Sequence, residues 1–125
     1  MFRVQNSRLS NMAILVPISL AELYDKISIL EIKMEKICDK GKLLNVANEL
    51  ERLCAISKDH PISDKDYCEL RTINERIWVL EEMIRRGLKF GETARDIYLC
   101  NDVRSKIKRR INEEYGSEII EEKSY

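Results

Sequence analysis

A chain of 125 residues with 22 basic and 22 acidic side chains has room for one domain and carries no net charge. No overall field therefore draws it to nucleic acid or to an anionic membrane, and any basic patch must be local. Hydrophobic residues at 44% and charged residues at 35%, with four Gly and two Pro, suit long amphipathic helices.

Residues 1–11 are polar and aperiodic and read as a frayed extension, with Met12 a candidate natural start. The domain is expected to occupy 13–125, with 1–12 outside it. Residues 13–16, AILV, are apolar and partly β-branched, and Pro17 blocks their continuation into a helix. The apolar run 13–18, AILVPI, is too short for a signal core or a membrane span, so a cytoplasmic protein is expected. Residues 13–16 read as a short extended segment that covers the helices or pairs with a copy of itself.

The first helix is predicted over 19–38. Leu20, Leu23, Ile27, Leu30, Met34 and Ile37 alternate spacings of three and four, and Ser19 with Glu22 makes a capping box. Ile29 and Ile32 fall on the opposite side, so this helix is apolar on more than one face. Such a helix sits centrally or at a subunit interface. Asp39-Lys40-Gly41 reads as a turn with Gly41 at a left-handed helix end. A second helix follows over 42–57, with Leu43, Val46, Ala47, Leu50, Leu53 and Cys54 inward. Lys58-Asp59-His60-Pro61 breaks the chain, and Ser63 caps a third helix over 64–86 with the stripe Leu70, Ile73, Ile77, Leu80 and Ile84. Arg85-Arg86-Gly87 is its stop signal. Leu88 and Phe90 are expected to pack back from the next loop. A fourth helix is predicted over 92–115, ending at Gly116, and Ile119 and Ile120 in the tail need cover. Short links favour antiparallel neighbours, so the fold class is all-α, an antiparallel four-helix bundle with a short extended N-terminal segment.

Helix four breaks its own pattern. Ile97, Cys100, Ile107, Ile111 and Tyr115 face inward, yet Arg104 projects through the same side with Asn101 at its edge. Glu31 flanks the core stripe of helix one. Isolated buried charges cost several kcal/mol, so Glu31 and Arg104 are expected to pair. That pair is either a structural strut or, with Asn101, Asp102 and Lys108, the wall of a cleft for an anionic ligand. Lys106, Lys108, Arg109 and Arg110 form a basic cluster near the helix end. It reads as a solvated terminus, a phosphate or nucleic-acid contact, or a partner for Glu118, Glu121 and Glu122. The helix offers few stacking aromatics, which argues against nucleic acid. Trp78 flanks the third stripe beside Asn74 and Glu81. Cys38, Cys54, Cys68 and Cys100 form no Cys-x-x-Cys pair, and with His60 the single histidine no zinc site or other cofactor is expected. The cysteines read as reduced thiols. No catalytic motif is present.

The run VPISLAELYDKISILEIKMEKI, then NVANEL at 45–50, then NDVRSKIKRRIN and GSEIIEEKSY resembles an uncharacterised bacterial family of small helical proteins. That family reads V-P-V-S-x-G-E-L-x-D-K-(I/L)-T-I-L-E-I-K, N-V-x-x-E-L, and N-D-x-R-x-x-x-K-R-x-I-N followed by E-E-K-S-Y. The resemblance spans about residues 13–125. It singles out Ser19, Glu22, Asp25, Lys26, Glu31, Lys33, Asn101, Asp102, Arg104, Lys108, Arg109, Asn112 and Lys123, with no catalytic roles attached. Ala21 replaces the family's Gly before Glu22. Family members occur alone, or near or joined to glycosyltransferase and tetratricopeptide proteins, which implies a setting in cell-surface glycan metabolism. A fainter similarity is to the helical chorismate mutases, in whose L-R-x-x-I-D rhythm Tyr24 stands in place of the arginine. The expected function is a non-enzymatic interaction or accessory domain, homodimeric, with a possible protein partner. The alternatives are a small-anion or sugar-metabolite binder and a helical enzyme of the mutase type.

Overall fold

A computed structural model describes residues 12–123 of the chain. It contains α1 (Leu20–Lys36), α2 (Lys40–Ser57), α3 (Asp64–Arg85) and α4 (Phe90–Glu114), with no strand among the described residues. The expected frayed extension, 1–11, lies outside the described residues. The helices form a bundle of two antiparallel hairpins, α1 with α2 and α3 with α4. Helix α1 packs on all three others, whereas α2 touches α1 alone. The two-sided apolar pattern of α1 has this cause: Leu23, Ile27 and Leu30 are buried, and so is Ile32 on another face.

Each helix start follows from its cap. Ser19 lies in extended backbone and its Oγ accepts from the Glu22 amide at 3.1 Å. Only that half of the capping box forms, because the Glu22 carboxylate is drawn to Lys108. Two further orphan amides of α1 are satisfied from the far end of the chain. Leu20 N–H donates to Ser117 Oγ and Ala21 N–H donates to Asn112 Oδ1 at 2.8 Å. The end of α4 thus caps the start of α1, which leaves no open anion site at that terminus.

Helix α1 stops sooner than the stripe suggests. Ile37 is extended, and Asp39 caps α2 by accepting from Lys42 N–H. Gly41 is therefore inside α2, where no left-handed conformation is required. Gly87 does end α3 as expected, with φ 73° and the paired bonds Gly87 N–H to Ile84 O and Leu88 N–H to Met83 O of a Schellman motif. Lys89, also left-handed at φ 41°, redirects the chain into α4 two residues before the expected start. That redirection carries Leu88 and Phe90 outward, so both are exposed rather than packed back on the bundle.

The core lies where α1, α3 and α4 converge. Ala21, Leu70 and Ile111 are fully buried, with Ile62, Ile73, Ile107 and Tyr115 packed around them. Removing a side chain such as Leu70 there would cost about 2–5 kcal/mol. Helix α2 sits outside this centre and buries Val46 alone. Tyr24 ties its end to α1 by donating to the Ser57 and His60 carbonyls at 3.2 and 2.7 Å. Residues 13–16 are exposed rather than buried against the helices.

Candidate functional site

A polar network fills the space between α1, α3 and α4 beside the apolar core. Its hub is Asn74, 4% exposed, on the inward side of α3. The Asn74 amide nitrogen donates to Asp25 Oδ1 and to Ser28 Oγ, each at 2.7 Å. Its oxygen accepts from Arg104 Nη1 at 2.9 Å. Arg104 also donates through Nη2 to Asn101 Oδ1 at 2.6 Å. On the other side of Asp25, Lys108 Nζ donates to Glu22 at 2.8 Å and to Asp25 Oδ2 at 3.2 Å, with Glu121 at 3.4 Å. Burial lowers the Lys108 pKa, yet the hydrogen bond to Glu22 and the charges of Asp25, Glu22 and Glu121 outweigh it and leave the amine raised. No buried side-chain nitrogen or oxygen among the described residues lacks a partner.

Glu31 and Arg104 do not meet. Glu31 accepts from the Tyr67 hydroxyl and, at 2.9 Å, from Arg71, which also holds Glu35. Burial and the Glu31 carboxylate raise the Tyr67 pKa. Helical spacing fixes where a side chain sits about its own axis, not which neighbour lies there. Beside Glu31 that neighbour is α3. Glu31 therefore belongs to a half-exposed strut between α1 and α3, and Arg104 to the network around Asn74.

A third cluster joins the start of α3 to the end of α4. Asp66 accepts from Arg110 at 2.7 Å and from the Tyr115 hydroxyl at 2.8 Å, while that hydroxyl accepts from Ser63 N–H at 2.9 Å. Arg110, then Tyr115, hold the Asp66 carboxyl well below the usual carboxylate range. The basic cluster of α4 is thus divided. Arg110 turns to α3, whereas Lys108 and Arg109 reach the tail at Glu121 and Glu122. Lys123 pairs with Asp102 at 3.0 Å, so residues 121–123 are strapped back along α4.

Between that strap and α4 lies an open cleft of about 540 Å³, lined by Asn101, Asp102, Arg104 and Lys108. Four of the five candidate site residues therefore share one wall, and Glu31 is elsewhere. Asn74, Ser28 and Asp66 were not candidates in the sequence reading. Asn74 had a signal: it lies four residues after Leu70 and three before Ile77, a polar group on an apolar stripe. His60 is exposed in the α2–α3 link. No group of three or more His, Cys, Asp or Glu among the described residues is placed to hold a metal ion, and no described helix is long and apolar enough to cross a membrane.

Fold and network together define a small helical domain whose three central helices are registered by paired polar side chains. The chain belongs to DUF6165, a family of unknown function whose model matches residues 14–125. No curated protein and no solved structure matches it.

Proposed function

We propose that this domain is a non-enzymatic interaction or accessory module that works as a homodimer, the second copy being held through the apolar N-terminal segment. The observation that supports this is the state of Ile14, Leu15 and Val16, which are 83%, 89% and 64% exposed. Consecutive side chains of extended backbone alternate between its two sides, so one surface of the same body would cover only part of this run. The segment makes no backbone hydrogen bond among the described residues, so its N–H and C=O groups are open to a partner strand. In a helical chain the matching unpaired edge is the same segment of another copy, and a twofold axis sets two such segments antiparallel. Pro17 removes a donor and limits the pairing to the residues before it.

No side chain of the cleft identifies a sugar. The glycan setting implied by the resemblance enters the proposal only as the context in which a dimeric accessory domain would act. Light scattering at micromolar concentration tests the reading. The expected mass is twice 14.7 kDa, and Leu15→Asp is expected to give a monomer of unchanged helix content. A wild-type mass near 14.7 kDa would overturn it.

A further inference from the structure

Three arginines of the described chain are half-buried: Arg71, Arg104 and Arg110. Arg71 faces Glu31 and Glu35, and Arg110 faces Asp66, Glu69 and Glu114. Arg104 differs. Its acceptors are two amide oxygens, of Asn74 and Asn101, and no carboxylate lies within ion-pair distance among the described residues. A guanidinium carries five N–H donors, so three of them have no acceptor among the described residues. The two asparagines fix the group, Asn74 from the buried side and Asn101 from the cleft wall, which removes much of the entropy cost of ordering it on binding.

We infer that the cleft between α4 and residues 121–123 binds a small organic carboxylate, its oxygens on the Arg104 guanidinium and its apolar body against Tyr98 and Ile97. Tyr98, Asn101, Arg104 and Ser105 lie on one side of α4 at spacings of three and four and line the same cleft. The Asn101 amide nitrogen, the Ser105 hydroxyl and the Tyr98 hydroxyl make no hydrogen bond among the described residues, so the wall presents unused donors around a fixed cation. Tyr98 is 57% exposed and lines the same space.

The charge surroundings select the anion. Asp102, Glu121 and Glu122 line the cleft, and Asp25 stands behind Asn74. Their cations, Lys123, Lys108 and Arg109, are already engaged. Lys108 is shared by Glu22, Asp25 and Glu121, and Arg109 by Glu113 and Glu122. Among the described residues of this wall Arg104 is therefore the cation with no carboxylate in contact, and a planar monocarboxylate meets it through two parallel N–H···O bonds. A phosphate dianion would bring a second charge among carboxylates and is disfavoured.

The test is a titration of the full chain with sodium benzoate, followed by amide NMR shifts at constant ionic strength, with acetate and phenyl phosphate as comparison probes. The expected result is saturable shifts centred on residues 98–105, tighter for benzoate than for either comparison. Asn101→Asp is the decisive variant. It keeps the shape and the bond to Arg104 but supplies the missing carboxylate, so benzoate affinity should fall at least about tenfold with helix content unchanged. Arg104→Lys should weaken binding in the same sense, because an ammonium lacks the planar fork. Absence of saturable shifts in the wild type would overturn the inference, as would undiminished benzoate affinity in Asn101→Asp. Tighter binding of phenyl phosphate would overturn the carboxylate assignment, and acetate equal to benzoate would overturn the contact with Tyr98.

Discussion

Replacing Asn74 by Ala should be among the most damaging single polar substitutions in this chain. Its amide makes three bonds, to Asp25, Ser28 and Arg104, between 2.7 and 2.9 Å. Bonds to the two charged partners are worth about 1.5–3 kcal/mol each, and the bond to the serine about 1 kcal/mol. They share one side chain and do not add in full. Water from the cleft can replace the amide at Arg104, whereas Asp25 Oδ1 and Ser28 Oγ are sealed and would lose the donor they accept from. Asp25 keeps Lys108, and Ser28 keeps its bond to the Asp25 carbonyl. The expected loss is about 3–4 kcal/mol, read by urea unfolding followed by circular dichroism. Asn74→Asp sharpens the test. It keeps an acceptor for Arg104 but sets a second carboxylate against Asp25, and two such neighbours cannot both ionise cheaply. One carboxyl pKa must rise in the folded state, so the deficit is largest at neutral pH and shrinks as pH falls through that raised value. A cost below about 1 kcal/mol for Asn74→Ala, or a pH-independent deficit for Asn74→Asp, would refute the reasoning.

Asp66 should contribute to the acid limit of stability. Its folded pKa is depressed, so its contribution is present above the unfolded value, about 3.9, and is lost as pH falls below that. Asp66→Asn should flatten the fall in stability between about pH 4 and 2, and an unchanged slope in acid unfolding would count against the assignment. Helix α2, which touches only α1 and buries Val46 alone, should exchange its amide hydrogens well before α1 and α3. Uniform protection across all four helices would show that α2 opens only with the whole domain.

The helices were legible because their signals are local. Ser19, Ser63 and Gly87 each act on their own turn of chain, and they start or stop helices where the sequence indicates. Asp39-Lys40-Gly41 contained two local possibilities, a left-handed stop or an N-cap, and the Asp39 carboxylate on Lys42 N–H decided for the cap. Leu88 and Phe90 were misplaced because hydrophobicity alone does not reveal the left-handed backbone at Lys89. The shared wall of Asn101, Asp102, Arg104 and Lys108 follows from spacing within a single helix. The partner of Glu31 depends instead on how α1 lies against α3, which no periodicity within α1 encodes. Asn74 could have been found by asking what a polar amide does on an apolar stripe.

The strap along α4 differs in kind from everything that holds the helices together. Its attachments, Lys108 to Glu121, Arg109 to Glu122 and Lys123 to Asp102, are ion pairs whose acidic partners lie at the surface. Mobile ions weaken such pairs. The screening length shrinks from about 8 Å at physiological ionic strength to about 3 Å at 1 M, while apolar burial is not weakened in this way. Concentrated salt should therefore loosen residues 121–123 while Ala21, Leu70 and Ile111 stay packed. One wall of the cleft is fastened by a force that the solvent can turn down, and the opposite wall is a helix that it cannot.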